Sequence, residues 1–287
     1  MLQTIIPQLI FTSAVSGLAV LIHGRILGEK IPLNTTPFTL CRVALTIFLA
    51  FRNNASYERF REARHLWDSL LISSRTLTSQ MLSYIPSSTP GLNREWSVHT
   101  LIAVVYATKH QLRKTDPNAD LLRSLCVERT EALHHKRYQP VDILNNIRNT
   151  FAHLHRRALV SDTKLWMFDA QFNELERMVG GCKRIASTPI PFACGMLRHR
   201  TVYAYCILLP FGLVDSTGFI TPLIRVFVSY TLIALEAIAG EVPEPFSVAP
   251  NALALNAMTR NIECTLLEPC ELEIPAETEP ERLHQLT

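Results

Sequence analysis

Three ionisable residues, Arg42, Arg225 and Glu236, stand inside otherwise apolar runs of this 287-residue chain. An unpaired charge in lipid costs about 3 kcal/mol or more, so such residues mark ion paths, relays or buried pairs. Glu236 is therefore expected to pair with one of the two arginines. The alternative is snorkelling of a span-end side chain into the interface, chiefly for Arg225. Catalytic chemistry has little else to stand on. Glu131 and His134 have the i, i+3 spacing of di-iron helical bundles, but the pattern has no second copy. His134, His135, His153 and His155 read as solvated faces of basic helices. Seven cysteines are scattered without a CxxC pair, which argues against zinc, a redox dithiol or a disulfide framework. No phosphate loop, GxSxG, HExxH or dinucleotide fingerprint occurs. The expectation is no catalytic residue, no metal and no cofactor.

Composition says what kind of chain could hold such charges. Hydrophobic residues make up 48%, charged residues 18%, and mean hydropathy is +0.14. That lies between a soluble enzyme and a polytopic transporter. The net charge of +3 hides an uneven distribution. Residues 52–200 hold 22 Lys and Arg against 13 Asp and Glu, while residues 241–287 hold 2 against 9. A basic segment alone would suggest nucleic acid. Flanked by apolar runs, it reads as the cytoplasmic side of a membrane protein, with no nucleic-acid partner.

Ile5 to Ile22 carries no charged residue. At about 1.5 Å per residue it can span a hydrocarbon core. It lacks a basic leader and a small-residue cleavage site, so it reads as a retained helix rather than a signal peptide. Gly28 to Pro37 reads as a loop. No Gly or Pro then occurs from Phe38 to Tyr84. One helix is expected to leave the bilayer there and run on into water. Its apolar part, Phe38 to Phe51, is short and contains Arg42. Such a helix suits water or other subunits on one face. Val43, Ile47 and Phe51 fall four apart and share a face. Packing against neighbouring helices is the plain reading of that face.

From Tyr57 the residues Phe60, Leu66, Trp67, Leu70, Leu71, Leu77, Met81, Leu82 and Ile85 continue a helical stripe. Helices are expected over Arg94–Arg113, Ala119–His135, Val141–Leu159 and Thr163–Ala186, with Ser161 or Asp162 as an N-cap. Thr188-Pro189-Ile190-Pro191 breaks the pattern. Thr201–Val214 and Phe219–Gly240 are apolar and joined by a turn at 215–218, which makes a second hairpin. From Glu263 the chain is rich in Glu and Pro, which argues disorder or a loose strap. The expected fold is an all-α membrane protein with four transmembrane helices and a cytoplasmic helical domain. Residues 1–56 hold the first two spans, 57–200 the helical domain, 201–240 the second hairpin and 241–287 a cytoplasmic acidic tail. Arg52, Arg59, Arg61, Arg64, Arg198 and Arg200 flank the spans and place both termini in the cytoplasm.

The run FLAFRNNASYERFREARHLW, Phe48 to Trp67, followed by LLISSR, resembles the signature of bacterial bestrophin ion channels. The likeness continues at Ser187-Thr188-Pro189-Ile190-Pro191-Phe192 and Pro210-Phe211-Gly212-Leu213, and more weakly at Glu241-Val242-Pro243-Glu244-Pro245-Phe246. Together these anchor residues 1–265. The resemblance implies a funnel-shaped homopentamer in the bacterial inner membrane, with one axial pore that conducts passively. Five copies of Val43, Ile47 and Phe51 would form an apolar neck that gates by dewetting. Ile190, stiffened by prolines on both sides, would form a lower aperture; a simple helix break is the alternative. The neck carries no charge to choose between chloride and monovalent cations, and the family contains both. Glu241–Asn251 aligns with the calcium-binding region of animal members. Ala249 and Ala252 stand where acids are expected there, so calcium activation is not expected. The family usually carries a short amphipathic segment before its first span, and this chain begins almost on top of that span. Two rivals stay open: a metal-dependent membrane enzyme and a non-conducting membrane scaffold.

Overall fold

The computed structural model describes residues 2–21, 25–26, 29–30, 35–86, 89–188, 192–217, 220–241, 244–249 and 251–275. Helices dominate them: α1 (Leu2–Leu21), α2 (Thr35–Tyr84), α3 (Arg94–Arg113), α4 (Asn118–Ser124), α5 (Val127–His134), α6 (Gln139–Arg156), α7 (Asp162–Ser187), α8 (Phe192–Thr217), α9 (Thr221–Glu241) and α10 (Leu255–Leu267). A two-residue antiparallel ladder, β1 (Arg25–Ile26) with β2 (Glu29–Lys30), lies between α1 and α2. The 50-residue α2 begins at Thr35 rather than Phe38. Pro37 falls in its first turn, where a missing N–H has no intrahelical partner to lose. Among the described residues no helix is long and apolar enough to cross a membrane. The uncharged run Ile5–Ile22 ends on Ile22, outside them.

The chain divides into two compact units, Met1–Arg59 with Pro189–Pro243, and Phe60–Thr188 with Glu244–Thr287. The sequence placed the divisions after residues 56, 200 and 240. In the first unit α1, α8 and α9 pack on one another. Leu45 and Leu49 of α2 bury against Val202, Tyr205, Cys206 and Leu209 of α8 and Leu232 and Ile233 of α9. In the second unit the α2 stripe is buried at Leu66, Trp67, Leu70, Leu77 and Met81, as is Ile85 just past the helix, while Tyr57, in the first unit, is exposed. Phe151 of α6 meets Phe168 and Phe172 of α7 with ring centroids 4.7 and 5.5 Å apart, tilted and edge-on. Gly181 lets α7 approach α2, since a Cβ there would lie 2.8 Å from Leu66 Cδ1.

Three expectations need correction. Ala119–His135 is two helices, broken where Leu125 and Cys126 adopt extended backbone. A straight helix would carry Glu128 or Arg129 to the inward face; the break gives that face to Thr130 and Leu133, both buried. Asp215–Thr217 are helical, as the end of α8, rather than a turn. The acidic C-terminal region is not loose from Glu263. Helix α10 packs on α3 and buries Leu255, Thr259, Ile262, Glu263, Leu266 and Leu267. Its apolar residues recur at helical spacing, and that outweighs the local acidity.

Candidate functional site

Helix α2 has two unlike faces in the first unit. Leu45 and Leu49 are 4% and 2% exposed, whereas Val43, Ile47 and Phe51 are 50%, 51% and 72% exposed. Residues two apart on a helix point in nearly opposite directions. The α8 and α9 contacts therefore claim one face and leave the other bare within the protomer. The three residues expected at the neck thus share one uncovered apolar stripe. Leu40 and Phe48 add to the exposed apolar surface of the same helix. Arg42 is also exposed.

Arg225 is 0% exposed, so it does not snorkel. Its Nε and Nη2 both donate to the backbone carbonyl of Cys206 in α8, at 2.9 and 2.6 Å. The cause is four residues along. Pro210 lies inside α8 and has no N–H to close the i→i−4 bond onto Cys206. An open carbonyl in an apolar bundle is costly, and neighbouring helices commonly supply the missing donor. Arg225 supplies two.

The remaining expected site residues divide by position. Ile190 lies outside the described residues. Glu236 lies on α9, but its side chain is outside them. Because α9 is one helix, Glu236 stands about 16 Å along the axis from Arg225. The two cannot pair within a protomer, which leaves Arg42 as the candidate partner. His134 Nε2 lies 2.8 Å from the side-chain amide of Asn118, and His155 Nδ1 lies 3.0 Å from the Val160 carbonyl. Among the described residues no three His, Cys, Asp or Glu converge as a metal site.

The family model for bacterial and fungal bestrophins matches residues 1–268. The chain belongs to the bestrophin family. This bestrophin is 40% identical over 262 residues to a voltage-dependent anion channel-forming protein of Ralstonia nicotianae, covering 91% of this chain and 86% of that one. A protein of the same description from Escherichia coli K12 is 39% identical over 265 residues, covering 91% and 84%. The crystal structure of a bacterial bestrophin homolog from Klebsiella pneumoniae superposes with a TM-score of 0.88 at 39% identity, covering 94% of this chain and 99% of that one. The nearly all-helical bestrophin fold read from the sequence is the fold of this chain.

The bestrophin's second unit holds a polar network that sequence reasoning missed. Glu263 of α10 is 5% exposed. It accepts from the Tyr106 hydroxyl at 2.6 Å, Arg260 Nη1 at 2.7 Å and Arg123 Nη2 at 3.2 Å. Burial, then the hydrogen bond and charge of Glu263, push the Tyr106 hydroxyl well above its ordinary range, so it stays a donor. Nearby, Asp120 of α4 accepts from Lys109 Nζ and His110 Nε2, both at 2.8 Å. Burial works against the charged carboxylate, but hydrogen bonds from His110 and Lys109 outweigh it. Asp120 is held below the usual carboxylate range. A depressed native pKa adds stability that is full above the unfolded value and is lost as pH falls through the native one. Asp120→Asn is therefore expected to lower the melting temperature at pH 7 by about 5 °C. Thermal melts should show that gap shrink progressively below about pH 4. A gap of constant size down to pH 2 would contradict this account.

Proposed function

We propose that this bestrophin is an ion channel of the bacterial inner membrane that passes small monovalent anions, chloride first, down their gradient. It works as a homopentamer in the lipid bilayer, with both termini cytoplasmic and no catalytic step. The observation that carries this reading is the uncovered apolar stripe of Val43, Ile47 and Phe51, backed by the buried Leu45 and Leu49. One such stripe cannot enclose a pore, but five copies around an axis form a ring that dewets when narrow and wets when slightly wider. Ile190 between its two prolines is assigned to the lower aperture. Arg42, Arg225 and Glu236 are the intramembrane charges of this arrangement. The spans are assigned to α1, α2, α8 and α9; none of them is apolar enough among its described residues to cross alone, and each is taken to cross as part of a bundle whose faces meet one another or the pore. Anions are favoured over cations because the similar proteins from Ralstonia and Escherichia are described as anion channel-forming.

Purified protein in a planar bilayer under a potassium chloride gradient gives the test. A reversal potential at the chloride equilibrium value is expected. A value at the potassium equilibrium would overturn the anion assignment. No current from correctly assembled protein, with or without a widened neck, would overturn the channel reading and favour the scaffold.

A further inference from the structure

Leu45 and Leu49, the back of the α2 stripe, rest on one particular turn of α8. Val202, Tyr205, Cys206 and Leu209 are the α8 residues of that cluster, and their spacing of i, i+3, i+4 and i+7 makes a single face around Cys206. All four are buried. The same turn cannot close its own ladder, because the bond missing at Pro210 is the one onto Cys206. On α9, Arg225, Ser229, Leu232 and Ile233 fall at i, i+4, i+7 and i+8, and all are buried. Leu232 and Ile233 fill the cluster. Arg225, two turns earlier on that face, reaches the Cys206 carbonyl with two N–H groups. Within the first unit, the back of α2, the interrupted turn and the arginine that mends it are therefore joined by direct contact.

Close-packed side chains transmit displacement, and a helix that lacks a ladder bond at a proline bends there unless something holds it. We propose that Arg225 is a positioning residue for the gate. By bonding the Cys206 carbonyl it fixes the α8 turn behind Leu45 and Leu49, and so holds the Val43, Ile47 and Phe51 stripe at its closed radius. This role rests on the neck reading of those three residues given above. Its direction follows from the physics of a dry pore. An apolar ring wets steeply once it widens. A loosened backing lets the ring move both ways. Inward excursions take nothing from a pore already dry, while outward ones admit water and ions. Loss of the Arg225 bond should therefore make the channel leak rather than block it. The role belongs to the bond and not to the charge, so any donor that reaches the carbonyl should serve. Helix α8 would supply one itself if residue 210 carried an N–H.

Full-length protein in planar bilayers under a potassium chloride gradient provides the test. Arg225→Met, which keeps the length but has no donor, should raise the conducting fraction about fivefold at an unchanged reversal potential. Arg225→Lys keeps one donor and should stay within about twofold of wild type. Pro210→Ala returns the missing N–H to α8. The double variant Pro210→Ala/Arg225→Met should therefore conduct like Pro210→Ala alone. A role through charge, such as pairing with a carboxylate, would not be rescued in this way. Wild-type current from Arg225→Met would overturn the proposal, and so would a leak that persists undiminished in the double variant. If Arg225→Met alone does not assemble, the double variant decides: it should assemble and match Pro210→Ala, and its failure to do so would also overturn the proposal. A wild-type protein that is silent before any substitution is a separate result, which would remove the channel reading and this role with it.

Discussion

Replacing Ile47 and Phe51 together with Ala is expected to raise chloride current through the reconstituted protein about tenfold, the effect of lowering a barrier by about 1.4 kcal/mol. Both side chains lie on the uncovered face of α2, so their removal empties no protomer core. In the proposed pentamer, five Ile47 and five Phe51 side chains shrink to methyl groups. A wider apolar ring wets more readily, and the dewetting barrier is the gate. The ring has no charge before or after the change. The reversal potential should therefore stay near the chloride value while the conducting fraction rises. Leu45→Ala and Leu49→Ala supply the contrast. These residues are buried against α8 and α9 and should cost about 3 kcal/mol each in stability. Unchanged current from a folded, assembled Ile47→Ala/Phe51→Ala variant would remove α2 from the role of gate.

Glu263→Ala should destabilise the second unit by about 3 kcal/mol, a fall of about 10 °C in melting temperature. The buried carboxylate accepts from Tyr106 in α3, Arg123 in α4 and Arg260 in its own helix. Removing it strands a buried hydroxyl and brings two arginines together without their shared anion. Glu263→Gln keeps an acceptor and should cost noticeably less. Limited proteolysis offers a local readout, because the loss should appear first as cleavage within α10. Equal melting temperatures for wild type and Glu263→Ala would show that α10 is held by its apolar face alone.

Where local chemistry decided the structure, the sequence was readable. Helix α3 runs from Arg94 to Arg113 as expected, because Asn93 caps its first turn and accepts from the Trp96 N–H. The α2 stripe was equally plain, since its period depends on no distant partner. The break between α4 and α5 was not legible, because it is imposed by which residues the core accepts. Helix α10 was obscured by its glutamates. Glu263 looks like a solvated charge until the fold brings it Tyr106 and Arg123, which lie 157 and 140 residues away in sequence. Arg225 was recognised as an anomaly, but its partner was sought among carboxylates. The better clue was Pro210, which leaves a carbonyl open one turn earlier in an apolar run.

In the membrane arrangement proposed above, that open carbonyl bears on the order in which the chain can be built into a bilayer. Helix α8 cannot close its own backbone ladder at Cys206, and the donor that closes it lies 19 residues downstream. While α8 stands alone in lipid, it carries a bare polar group at the cost that lipid exacts for one. The α9 segment brings a guanidinium that is just as ill at ease alone. Each is the remedy for the other. On that arrangement the unit that enters the membrane is the hairpin rather than the helix, since α8 is complete only once Arg225 of α9 is beside it.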